Sequence, residues 1–310
     1  MTDMLQQTLS NTYKFEGKGL HTGKWATMTI APAPVDTGIV FRRMDLPGTP
    51  CIEAVAAHVS NTARSTTISK DGVSVSTIEH VMSALTGMGI DNAFVEIEGE
   101  EVPILDGSAR YYAEAFSSDA LVRQRQPRRL VELPEEVSVE DEKTGAWVRI
   151  SPSSTFSYDV TTDFSSRVLG VQTARWDAGV DYAREIAVCR TFVFFHEIEY
   201  LFANNLIKGG DVDNAIVIVE HPVSRETLDR MSSLFGHPSL EVTGQGYLNN
   251  LQLHFDNECG RHKLLDLIGD LRLAGGFLSA RVTAYKPGHR LNTLAAKAVA
   301  EVLEKNTIKV

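Results

Sequence analysis

With 310 residues, 43% hydrophobic and 23% charged, the chain has the composition of an ordinary globular protein and room for two domains, each with its own core. A formal net charge of -10 argues against duplex nucleic acid or an anionic membrane as a partner, and an anionic small molecule would need locally placed Lys or Arg. Three cysteines (Cys51, Cys189, Cys259) without a CxxC pair speak against a disulfide framework or a Cys-rich zinc site and fit reduced thiols in a cytosolic protein.

The polar segment 1–10 lacks the apolar stretch of a signal peptide, and no run approaches 18 apolar residues. A cytoplasmic protein without an integral membrane segment is therefore expected. Strand-like runs open the chain at 26–30 and 39–42. A helix pattern covers about 77–86 and stops at Gly87 and Gly89, followed by a strand at 93–98 with period-two alternation. A turn at 103–107 leads into a second helix at 108–116. The polar, Pro-interrupted stretch 124–129 (QRQPRR) reads as a linker.

Strands resume at 137–139, 147–150 and 156–162. A long helix pattern over about 260–274 stops at Gly275-Gly276, a strand follows at 278–285, and a helix at about 291–304 closes the series. Both parts thus read as strands, helix, strand, helix, which predicts a duplicated α+β architecture divided into 1–127 and 128–310. The second part carries an additional β-α-β unit at about 186–220: a strand near 186–194, a helix near 197–205, a Gly209-Gly210 turn and a strand at 215–219.

Three constellations can carry chemistry. Glu79-His80 opens the first helix; an imidazole can ligate a metal while the adjacent carboxylate takes a proton from water, yet Ser76-x-x-Glu79 also fits a capping box. On the long helix, His262, Asp266 and Asp270 are spaced i, i+4, i+8 on one face, amid leucines that make unpaired charge expensive. A metal-ligand pair and a solvated His–Asp pair both fit that spacing. Third, His289 ends the tight Lys286-Pro-Gly-His turn, where it suits a general acid or oxyanion partner but equally an exposed loop. Two histidines and one aspartate would leave a zinc position open, as in catalytic sites.

These residues sit in long strings: 17–23 (GKGLHTG), 34–43 (PVDTGIVFRR), 79–92 (EHVMSALTGMGIDN), 102–109 (VPILDGSA), 190–192 (RTF), 199–201 (EYL), 261–270 (RHKLLDLIGD) and 285–292 (YKPGHRLN). In order and across nearly the whole chain, they resemble the UDP-3-O-acyl-N-acetylglucosamine deacetylase family of lipid A synthesis. The resemblance implies two domains, each a β-sheet layered on two helices, with the active site in the cleft between them. It implies Zn2+ on His80, His262 and Asp266, Glu79 as general base, and His289, backed by Asp270, as the cationic acid or oxyanion partner. It also implies a hydroxyl from Thr191, Lys263 at the phosphates of an acylated UDP-glucosamine, Phe192 on the sugar and Phe164 near the uracil.

Leu20, Phe194, Ile198, Gly210, Val212 and Val217 are the expected apolar contacts, most of them on the insert, which would form a passage for the acyl chain. A monomer is expected. Some relatives carry a fused dehydratase domain, of which the polar tail 305–310 would be the start of a linker. Val193, His196-Glu197, Pro287, Thr293 and Ala146 depart from the family's usual residues at their positions and bear on the passage and phosphate contacts rather than on the metal chemistry.

Overall fold

The structure is a computed structural model that describes residues 4–118, 121–198, 211, 213–237 and 239–307. Two sheets organise it. The first has the order β2 (Tyr13–Lys18), β3 (Trp25–Pro32), β9 (Ala93–Glu98), β4 (Ile39–Arg43), β5 (Cys51–Glu53). The second has the order β12 (Val137–Asp141), β13 (Ala146–Pro152), β18 (Phe277–Tyr285), β14 (Ser157–Asp163), β15 (Val171–Asp177), with β11 (Leu130–Glu132) also pairing with β18.

The two sheets share one pairing scheme. In each, the central strand is antiparallel to one neighbour and parallel to the other: β9 against β3 and β4, β18 against β13 and β14. In each, a helix precedes the central strand and another follows it. These are α1 (Glu79–Gly87) and α2 (Arg110–Ser117) in the first half, then α5 (Glu258–Leu271) and α6 (His289–Thr307) in the second. The short helix α3 (Tyr182–Glu185) and helix α4 (Arg225–Phe235) belong to the added segment of the second half. The duplication is thus one of topology, as the element order led us to expect.

Helices α1 and α5 pack directly on each other at the centre. Burial explains their composition: α1 is buried from Glu79 through Thr86, with neighbours on every face. Close approach requires Gly269 on α5, since a Cβ there would lie 2.1 Å from the Glu79 carbonyl oxygen. The apolar residues of both halves accordingly form one continuous core, from Leu9 to Val299.

Some expectations need correction. Residues 122–127 form β10 (Val122–Pro127), antiparallel to β1 (Leu5–Thr8), rather than a linker. Strand β10 is largely exposed and is held by ladder bonds and side-chain amides, for example Asn92 Nδ2 to Gln124 Oε1 at 2.7 Å, so its polarity hid it. In the insert, the first strand is confined to β16 (Phe192–Phe194), parallel to β17 (Ile216–Ile218), and 182–185 is helical. The backbone is helical at 195–198; the rest of the expected helix, the Gly209-Gly210 turn and Val212 lie outside the described residues. Among the described residues, no helix is long and apolar enough to cross a membrane.

Candidate active site

Three buried side chains converge where α1 meets α5. His80 comes from the first turn of α1, and His262 and Asp266 from successive turns of α5; one ligand-type atom from each lies within 4.8 Å of the others. Asp266 Oδ1 is 3.7 Å from His80 Nε2 and 3.4 Å from His262 Nε2. That oxygen is buried and accepts no hydrogen bond from the described residues, which is costly unless a cation completes it. The His262 Nδ1 lies 3.0 Å from the Cys189 carbonyl oxygen. A carbonyl can only accept, so Nδ1 carries the proton and Nε2 offers its lone pair to the triad.

The donor set suits a metal. Burial and the proximity of His262 push His80 down to about 3, and burial likewise lowers His262, so both imidazoles are neutral. Burial works against the Asp266 carboxylate, but the positive charges of Lys263 and His289 outweigh it and hold the group well below the usual range. Two neutral imidazoles and one carboxylate are a donor set that fits a divalent metal ion.

Beside the triad stand two titratable groups shifted by their surroundings, Glu79 and His289. Burial raises the Glu79 carboxyl to about 7, with the charges of Asp270 and Asp266 adding to the effect and His289 opposing it. The Glu79 side chain does not form the capping box: its Oε2 accepts the Thr66 N–H at 2.9 Å, while the Ser76 hydroxyl goes to the Glu100 carbonyl. His289 is the first residue of α6 rather than a free loop residue. Burial would lower its pKa, but the carboxylates of Glu79, Asp270 and Asp266 override burial and raise it to about 9. Its Nδ1 donates to Asp270 Oδ2 at 3.1 Å, and its Nε2 is 4.0 Å from Asp266 Oδ2. The surroundings thus bring a carboxyl near neutrality and keep an imidazole protonated above it, the kind of pair that proton-transfer chemistry uses.

A cavity of about 320 Å3 opens from this centre, lined on its polar side by Glu79, His289, Thr191, Lys263, His21 and Arg64. Its apolar side has Leu20, Phe192, Val193, Ile198, Val217 and Phe235. Phe164 and Phe194 lie outside the lining but pack around Phe192, with ring centres 5.3 and 6.4 Å from it. Lys263 lines the cavity, yet its Nζ bonds Asp266 Oδ2 at 2.7 Å. Asp270 sits behind His289, fully buried. Gly210 and Val212 lie outside the described residues.

The sequence points to Thr191 and to the strings around Gly107 and His21 but not to what holds them, and Thr77 and Glu101 carry no signal. Thr191 is fixed from the first half: its N–H donates to the Gly107 carbonyl at 2.8 Å, and Gly107, at φ 81°, would with a Cβ lie 1.9 Å from the Asn214 carbonyl oxygen. Thr77 holds φ at 60°, an outlier for a β-branched residue, and its hydroxyl donates to Glu101 Oε1 at 2.9 Å. The same carboxylate accepts from the backbone of His21 and Thr22, which places the 17–23 string at the cavity. Helix α4, which supplies Phe235, did have a signal: Ser224 caps its start and Gly236 at φ 65° ends it.

Fold and site together define an α+β protein of two topologically matched halves with a candidate centre for one metal ion beside a buried carboxyl and imidazole. The sequence pattern of the family described as LpxC, UDP-3-O-acyl N-acetylglycosamine deacetylase, matches residues 6–244 and 236–301, and the chain belongs to that family. It is 42% identical over 301 residues, 97% of its length, to the bifunctional enzyme LpxC/FabZ of Porphyromonas gingivalis, and 41% identical over 98% of its length to that of Bacteroides thetaiotaomicron. It spans 65% and 66% of those two relatives. To the UDP-3-O-acyl-N-acetylglucosamine deacetylase of Pseudomonas entomophila it is 41% identical, over 96% of this chain and 90% of that one.

Proposed function

We propose that this chain is a zinc-dependent amidohydrolase that removes the N-acetyl group of UDP-3-O-acyl-N-acetylglucosamine, releasing acetate, in lipid A biosynthesis. The observation that carries the reading is the juxtaposition of a buried His80–His262–Asp266 triad, with one carboxylate oxygen unpartnered, and the Glu79–His289 pair. The relatives' names supply the substrate.

In this reading His80, His262 and Asp266 hold the ion, which when bound supplies Lewis-acid chemistry: it acidifies water and polarises a carbonyl. Glu79 takes a proton from the attacking water, and the leaving amine takes one from Glu79 or from His289 as acetate departs. His289, held by Asp270, places a positive charge where the tetrahedral oxyanion develops, and the Thr191 hydroxyl donates to the same oxygen. Lys263, freed from part of its hold on Asp266, turns to the phosphates. Phe192 packs against the sugar, and Phe164, on the outer side of that ring, stacks near the uracil.

The acyl chain lies along Leu20, Val193, Ile198 and Val217. Ile198 and Val217 also belong to the insert's own small core, so one surface serves both packing and recognition. We further propose that the halves divide near residue 127 and that the protein works as a cytoplasmic monomer. The test is acetate release from the acylated nucleotide sugar by the purified chain, with zinc and after chelation. Zinc-dependent release is expected; equal rates in chelator, or no release at all, would refute the reading.

A further inference from the structure

Thr66 belongs to none of the strings that suggested the site. It is fully buried, immediately before β7 (Thr67–Lys70), where three of its groups are engaged at once. Its N–H donates to Glu79 Oε2 at 2.9 Å, its hydroxyl donates to Asp270 Oδ1 at 2.6 Å, and its carbonyl accepts from the Ile78 N–H at 3.3 Å, at the mouth of α1. Asp270 uses its other oxygen, Oδ2, for His289 Nδ1 and for Asn292 Nδ2 at 2.9 Å. The Thr66 hydroxyl is therefore the donor that Oδ1 has among the described residues.

We propose that Thr66 is the positioning residue that couples the base to the acid, fixing the Glu79 carboxylate through its N–H and the His289 ring through Asp270. The proposal rests on the deacetylase reading for the roles of Glu79 and His289 and goes beyond it in naming what holds them in register.

The physical reason lies in the geometry of a buried carboxylate. The Asp270 carboxylate is fully buried, so its plane is set by its donors. With Thr66 on one oxygen and His289 and Asn292 on the other, rotation would break bonds at both ends. Without the hydroxyl, Oδ1 is left bare, and the carboxylate turns or shifts to recover a donor, taking the His289 ring with it. Glu79, on the first half's helix, and Asp270, on the second half's, share no direct hydrogen bond; one threonine touches both. Arg64, two residues earlier, lines the cavity, so Thr66 lies on the same segment as a residue of the site.

The experiment separates the two bonds, because any substitution except proline keeps the N–H. Thr66→Val removes the hydroxyl and retains the shape, while Thr66→Ser restores a hydroxyl. In the zinc-loaded full chain, Thr66→Val should lower kcat about ten-fold, the scale of a lost hydrogen bond to a charged group, with KM changed less than two-fold. Metal content should be unchanged, and Thr66→Ser should recover most of kcat. In a His289→Gln background, Thr66→Val should cost almost nothing further, because the ring it orients is gone.

Equal loss in the Val and Ser variants, or full additivity with His289→Gln, would overturn the proposal. Where the valine chain does not fold, Thr66→Cys, with a weak donor of similar size, should fall between wild type and the expected ten-fold loss. A second readout does not need turnover: in the metal-free chain, the hydrogen-bonded Nδ1 proton of His289 should move in its NMR shift in Thr66→Val and return in Thr66→Ser. An unmoved resonance sinks the coupling, whereas a wild-type chain that releases no acetate sinks the deacetylase reading alone.

Discussion

The two halves repeat one pairing scheme and then diverge at the same topological point. Between its fifth strand in sequence-matched order and its buried helix, the first half inserts the small antiparallel sheet β6 (Val59–Asn61), β7 and β8 (Val73–Val75). Between β15 and α5, the second half inserts the parallel pair β16–β17 with α4. The common frame presses α1 against α5 and so brings His80 to His262 and Asp266. The insertions supply the surroundings: Arg64 and Thr66 from the first, Thr191, Phe192, Val193 and Val217 from the second. The difference teaches that the repeated scaffold fixes where a metal can sit, while the unmatched segments decide what sits around it.

The strongest way to break this comparison is to remove what one half lends to the shared centre. Glu79→Gln should lower turnover by on the order of 10² or more, with zinc retained at one equivalent, because the ligands lie elsewhere. Near-normal turnover in this variant would leave Glu79 as a structural contact to Thr66. Zinc stoichiometry measured alongside kcat separates the two results.

A second test attacks the contact between the matched helices. Gly269→Ala places a Cβ 2.1 Å from the Glu79 carbonyl oxygen, with the Ser83 nitrogen at 3.0 Å. Backbone cannot yield as a flexible side chain does, so the helices must part. We expect a loss of about 1–3 kcal/mol in stability, measured by denaturant unfolding, together with reduced turnover. Wild-type stability would mean that the halves slide past each other freely.

The smallest effect sharpens the role of the second insertion. Against substrates of graded acyl length, Val217→Phe should shift the preferred chain to a shorter one by narrowing the apolar end of the cavity. Each methylene that loses its place is worth ~0.8 kcal/mol, about four-fold in kcat/KM. An unchanged length profile would assign Val217 to the insert's own core, where it packs with Phe195 and Leu228.

Local pattern determined much of the molecule. The period-two alternation of 93–98, the glycine stops after both buried helices, and the i, i+4, i+8 spacing of His262, Asp266 and Asp270 are properties of neighbouring residues, readable without a fold. The α+β class and the matched order of elements followed from them. Where local polarity and tertiary role disagreed, the sequence misled: β10 is polar because ladder bonds hold it, and Ser76-x-x-Glu79 has the letters of a capping box while the carboxylate points to Thr66.

Only the tertiary structure decided that His80, more than 180 residues from His262 in sequence, lies with it around one unpartnered carboxylate oxygen. The meeting depends on Gly269 allowing two helices to touch, and on Gly107 holding the segment that carries Thr191. Neither glycine announces its partner, because a side chain that is absent shows its purpose only against the atoms that take its place. Thr66 is the clearest case: nothing local sets it apart from Ser65 or Thr67, and its function is defined entirely by the two distant carboxylates it reaches.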